Sequence, residues 1–129
     1  MSAYQEGFGE GFEERRKEIG TWLIEQAARE RAQSIPRLMT ARLLDKTAAE
    51  LAALKQPSIS EDDIPSSERN YHMKGFHWAQ ARLLEELVER VRHLANLAGH
   101  DYEPQKARAL RQIGERIKVQ FGEKPLSRR

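Results

Sequence analysis

Residues 67–99 read SERNYHMKGFHWAQARLLEELVERVRHLANLAG. Phe76, Leu83, Leu84, Leu87, Val88, Val91, Leu94, Leu97 and Ala98 recur at steps of three and four, the spacing that stacks side chains on one face of a helix. The stretch is predicted as one long amphipathic helix. Ser66 and Ser67 would cap its first-turn amides, and Gly99 would end it as a left-handed terminator. The apolar face is wider than a two-position seam, which predicts packing in a bundle rather than a two-stranded coiled coil.

Before this stretch, Ser2 and Gln5 stand at the spacing of a capping box. Tyr4, Phe8, Phe12, Ile19, Leu23 and Ala27 then form a stripe interrupted at Arg15 and Arg16, predicting a helix over Ser2 to about Gln33. Within it lies a tandem Glu-Gly-Phe-Gly pattern at residues 6–9 and 10–12. If helical, Gly7 and Gly11 share one face and permit close approach of another backbone; otherwise the segment is an arm whose Phe8 and Phe12 dock in a groove. The lysine and serine of a phosphate-binding loop do not follow. Pro36 interrupts the chain, and Leu38, Ala41, Leu43, Leu44, Ala48, Leu51 and Leu54 define a second helix over Arg37 to Lys55. It presents too few base-reading side chains for a helix-turn-helix.

Residues 57–66 read as an acidic linker, with Pro57 and Pro65 bracketing Glu61, Asp62 and Asp63. These acids lack the twelve-residue spread of a calcium loop. After His100-Asp101-Tyr102-Glu103-Pro104, a last helix is expected from about Tyr102 to Phe121, burying Ala107, Leu110, Ile113 and Ile117 and ending at Gly122 with Pro125 beyond. The fold class expected is all-α: about four amphipathic helices in a small bundle or two packed helical hairpins. The divisions are an N-terminal hairpin (1–56), the linker (57–66), a C-terminal hairpin (67–122) and a basic tail (123–129), within one domain overall.

The chain has 129 residues, no Cys, 33% charged and 39% hydrophobic residues and a mean hydropathy of -0.77. Without Cys there are no disulfides, thiolate metal sites or cysteine nucleophiles. No run of 18 apolar residues and no apolar run after a positively charged start occur, so neither a membrane span nor a signal peptide is expected, and a cytoplasmic setting fits. The low apolar share suggests that a second copy of the chain contributes burial. Net charge is only +2, yet residues 104–129 carry eight Lys or Arg against two Glu. Such a basic end suits an anionic partner.

Functional residue types are densest from Glu68 to Trp78. Glu68 and His72, four apart, can meet on a helix, as a carboxylate orienting a general base would. No nucleophile accompanies them. His72 and His77 are five apart and cannot chelate one ion as an i, i+4 pair does, so no metal and no cofactor is expected. Tyr71, Phe76 and Trp78 instead have the character of interface anchors. The primary expectation is therefore a non-enzymatic protein–protein interaction module, an accessory or inhibitory protein occupying a partner surface through Phe8, Phe12, Trp22, Tyr71, Phe76 and Trp78. The alternative is a nucleic-acid-associated protein whose basic last helix contacts phosphates through Lys106, Arg108, Arg111, Arg116 and Lys118; a continuous basic face joining Arg37 and Arg42 to that helix would favour it.

Overall fold

A capping box starts the first helix. The Gln5 amide donates to Ser2 Oγ (3.2 Å) and the Ser2 amide to Gln5 Oε1 (2.7 Å), satisfying two donors that a helix start leaves unpaired. In the computed structural model, which describes residues 1–122, this helix, α1, spans Ala3–Arg31. It is followed by α2 (Leu38–Ala53), α3 (His72–His100) and α4 (Pro104–Phe121). Short 3-10 turns at Glu61–Asp63 and Ser66–Glu68 precede α3. The described residues hold four helices and no strand, the all-α bundle that the patterning implies. The expected basic tail and Pro125 lie outside the described residues.

The glycines in α1 decide how the bundle closes. Helices α1 and α3, of 29 residues each and about 43 Å long at 1.5 Å per residue, run parallel and form the most extensive helix pair. Gly7 faces the His72 carbonyl, Gly11 faces Phe76, and Gly75 faces the Tyr4 carbonyl. A Cβ at these positions would lie 2.8 Å from the His72 carbonyl carbon, 2.8 Å from Phe76 Cα and 2.9 Å from the Tyr4 carbonyl carbon. Backbone therefore packs on backbone here, which only side chains of one hydrogen permit. The segment is helical, and Phe8 and Phe12 are core residues at 1% and 0% exposure. They are not surface anchors, because the glycine contacts turn the neighbouring α1 face into the bundle.

Helix α2 lies antiparallel on α1. Arg16, which reads as a break in the α1 stripe, fastens the end of α2: its Nη1 donates to the Leu51 (2.7 Å) and Ala52 (3.0 Å) carbonyls and its Nη2 to the Leu54 carbonyl (2.6 Å). All three carbonyls lie at the end of α2, where intrahelical donors run out; the Leu51 carbonyl also accepts from the Leu54 amide (3.2 Å). The guanidinium also sits 5.0 Å from the Phe12 ring centre. Helix α4 lies antiparallel on α3, with Gly114 against Val91. The core joins Ile19, Leu23, Leu44, Leu51, Leu83, Leu87, Val91, Leu110, Ile113 and Ile117, all essentially inaccessible.

Two helix boundaries differ from the sequence reading. Helix α3 starts at His72, not Ser67, because the Arg69 carbonyl accepts from the Tyr4 amide at the start of α1 (3.1 Å). A helix begun at Ser67 would need that carbonyl for its own Met73 amide. Its far end is not made by Gly99, which is helical. The amides of Glu103 and Tyr102 donate to the Ala98 and Gly99 carbonyls (2.8 and 3.2 Å), the paired bonds of a Schellman motif. Tyr102 takes the left-handed position at φ 60°. Leu97, assigned to the apolar stripe, is 46% exposed. The linker is acidic and mostly exposed, but Ile64 is buried and the Ile59 carbonyl accepts from Gln5 Nε2 (2.7 Å), so this segment covers the N-terminal part of α1.

Candidate functional site

Helices α2 and α4, with 16 and 18 residues, are too short to cover all of α1 and α3. The aromatics near the α1 and α3 starts therefore divide between core and surface. Phe8 and Phe12 belong to the core. Trp22 is half-buried and meets Phe121 edge-on, with centroids 5.5 Å apart, so it helps hold the end of α4. Phe76 is half-buried between the His72 and His77 rings (6.4 and 5.8 Å). Tyr71 and Trp78 remain open, at 54% and 41% exposure.

Tyr71, Lys74, Trp78 and Arg82 follow one another at steps of three and four, and so line one side of α3. Lys74 Nζ lies 5.8 Å from the Tyr71 ring centre, and the Arg82 guanidinium lies 5.7 Å from that of Trp78. The inner edge of Trp78 is fixed against Phe8 (5.2 Å) and Tyr4 (6.2 Å). Both cations are held in place: Lys74 donates to Glu68 Oε1 at 2.7 Å and Arg82 to Glu86 Oε1 at 3.3 Å. The hydrogen bond from Lys74 to Glu68, reinforced by the Glu68 charge, holds the Lys74 pKa above its ordinary value. Burial, followed by the Glu68 charge, raises that of Tyr4, with Lys74 opposing.

The ionisable side chains nearby do not converge as the sequence suggested. Glu68 is engaged by Lys74, and His72 meets Glu10 instead (Nε2 to Oε2, 2.7 Å). Farther along α3, Arg90 faces Glu50 of α2 at 3.6 Å, and Glu86 pairs with Arg82 at 3.3 Å. Among the described residues, no three His, Asp or Glu side chains are grouped as metal ligands. Tyr4, Glu10 and Arg82 were missed in the sequence. Arg82 alone had a local signal, four residues from both Trp78 and Glu86.

The basic residues of α4 also separate. Arg108, Arg111 and Arg116 line a cleft with Arg37 at the start of α2. Lys106 points to Glu103 (3.8 Å), away from this cleft, and Lys118 pairs with Glu115 (3.2 Å) while facing α3. Arg37 thus joins the α4 surface as the basic-face reading required, whereas Arg42 does not line the cleft. Beneath it lies Glu30, a carboxylate only 5% exposed. Its Oε1 accepts from Arg116 Nη1 (3.2 Å) and its Oε2 lies 3.9 Å from Arg37 Nε.

No known protein family, curated protein or solved structure matches the chain. Among the described residues, no helix is long and apolar enough to cross a membrane.

Proposed function

We propose that this chain is a non-enzymatic protein-interaction module, of the accessory or inhibitory kind that works by occupying a partner surface in the cytoplasm. The observation that carries this reading is Trp78, whose inner edge is clamped by Phe8 and Tyr4 while the residue stays 41% exposed, with the Arg82 guanidinium over its ring. A rigid aromatic with an open face loses little freedom on binding, and Trp and Tyr are over-represented among residues that dominate interface energies. Lys74 and Arg82 flank the rings as a polar rim. A second copy of the chain is the first candidate partner, since the low apolar share of the sequence leaves room for burial between copies.

Light scattering across a concentration series tests this directly. The expected result is a discrete oligomer that Trp78→Ala weakens by about 30-fold or more, the scale of a 2 kcal/mol anchor, with the helical circular dichroism spectrum retained. A chain monomeric throughout would exclude the second copy and direct the test to capture on immobilised protein. Capture of the same partners by the wild type and by Tyr71→Ala/Trp78→Ala would defeat the proposal.

A further inference from the structure

The cleft between α2 and α4 has a composition that neither the packing of the bundle nor the aromatic stripe explains. Arg37 stands on one wall and Arg108, Arg111 and Arg116 on the other, above an apolar floor of Ala109 and Ile113, enclosing about 450 Å³. On α4, Arg108 and Arg111 are three apart and neighbour each other, whereas Arg116 stands five beyond Arg111, about 140° round the helix, so the three fan across the cleft wall. Arg37 comes from a different helix, so the grouping is tertiary. Glu115 also lines the cleft, but its carboxylate is engaged by Lys118 at 3.2 Å.

One of the guanidiniums is oriented from below, and a second is drawn toward the same carboxylate. Arg116 donates to Glu30 Oε1 (3.2 Å) and to Gln26 Oε1 (2.6 Å), and Arg37 approaches the other oxygen of Glu30. Because Glu30 is buried, its carboxylate holds Arg116 from beneath the cleft while Arg37, 66% exposed at its side chain, stays free to meet a ligand. Arg108 and Arg111 are exposed and, among the described residues, have no carboxylate within 4 Å. Like charges collected in this way repel one another, and a bound anion relieves that repulsion.

We propose that the α2–α4 cleft binds the phosphate backbone of duplex nucleic acid, independently of the aromatic stripe. All four cations are arginine, whose planar fork matches phosphate oxygens two at a time. From Arg108 to Arg116 the helix rises about 12 Å, the axial rise of about three to four phosphates of one strand when measured along the duplex axis. A single small phosphate would not engage that whole row. No aromatic side chain lines the cleft, so it offers no platform for stacking unpaired bases, and backbone contact to a duplex is the mode that fits. The excess of Lys and Arg over Glu in residues 104–129 adds a field of the same sign.

The test is fluorescence anisotropy of the full chain with a short labelled mixed-sequence DNA duplex, repeated over a salt series. Three to four phosphate contacts predict a slope of log K against log salt of about −3. Arg108→Ala/Arg111→Ala should reduce that slope by about 2 and weaken binding at low salt by at least about 10-fold. Both side chains are exposed, and circular dichroism confirms that the fold is kept. The charge-matched Lys17→Ala/Lys55→Ala variant, altered outside the cleft, should retain the wild-type slope. Absence of a salt-sensitive complex at low ionic strength would overturn the proposal, as would equal loss in the two double variants. Equal affinity for polyglutamate would refute phosphate recognition, and tighter binding of single strands would refute the duplex assignment.

Discussion

Replacing Gly75 by Ala tests the backbone contact on which the bundle rests. In an unobstructed helix this change stabilises, because alanine exceeds glycine in helix propensity by roughly 1 kcal/mol. Here the new Cβ would stand 2.9 Å from the Tyr4 carbonyl carbon and 3.0 Å from the Phe8 amide nitrogen, where ordinary contact needs about 3.5–4.0 Å. These obstacles are backbone and cannot swing aside, and the Tyr4 carbonyl oxygen is closer still, so α1 and α3 must separate by about 1 Å or more. Even a gap of about 0.5–1 Å forfeits a quarter to a half of each contact across it, and a buried side chain makes about 40–60 contacts of about 0.1–0.2 kcal/mol. With about half of those contacts facing the crossing, each buried side chain there loses up to about 1–3 kcal/mol, so Phe8, Tyr4 and Ala79 together lose at least about 2 kcal/mol. After the propensity gain, the net destabilisation is about 1–3 kcal/mol, within the usual range for overpacking. Urea unfolding followed by circular dichroism measures it, with Gly99→Ala as the control. Gly99 is helical and has nothing within 4 Å of its absent Cβ, so that variant should gain up to about 1 kcal/mol. A Gly75→Ala protein as stable as Gly99→Ala would refute the close-crossing argument.

Tyr102→Gly should stabilise the protein by about 1 kcal/mol: the residue sits at φ 60° with its side chain 92% exposed, so strain is relieved and no packing is lost. Tyr102→Val should destabilise, and equal denaturation midpoints for the two would contradict the Schellman assignment. Stability should also fall in alkali. Tyr4 and Lys74 both have folded pKa values above their ordinary 10.0 and 10.5, so the folded state keeps these protons longer. Their contribution is complete below about pH 10 and is lost as pH rises through the folded values. Urea midpoints between about pH 9 and pH 11 should decline, and Glu68→Gln, which removes a charge that raises both groups, should make the decline shallower; an unchanged slope would remove Glu68 as a cause.

The existence of four helices was legible because it depends on contacts within three or four residues along the chain. The capping box at Ser2 and Gln5, the break at Pro36, and the apolar repeats from Leu83 to Val91 and from Ala107 to Ile117 are signals of that range. Even the use of Gly7 and Gly11 for close approach followed from their sharing a helical face. Tyr71 and Trp78, which stay 54% and 41% exposed, stand among polar residues at the start of the same helix.

The tertiary structure decided what distant groups claim. Helix α3 begins late because Tyr4, 65 positions earlier, takes the Arg69 carbonyl, a competition invisible to any window along the chain. Phe8 and Phe12 became core, and Trp22 a support for Phe121, because packing, not residue type, determines which aromatics stay exposed. Arg16 changed from an interruption into the clamp on α2, and His72 exchanged Glu68 for Glu10. Likewise, the basic end of the sequence announced positive charge, but only the packing of α2 beside α4, with Glu30 beneath, selected Arg37, Arg108, Arg111 and Arg116 for one cleft and turned Lys106 and Lys118 away. Periodicity fixes which face of a helix is apolar; which partner that face meets, and which side chains of two helices become neighbours, depends on how whole helices pack.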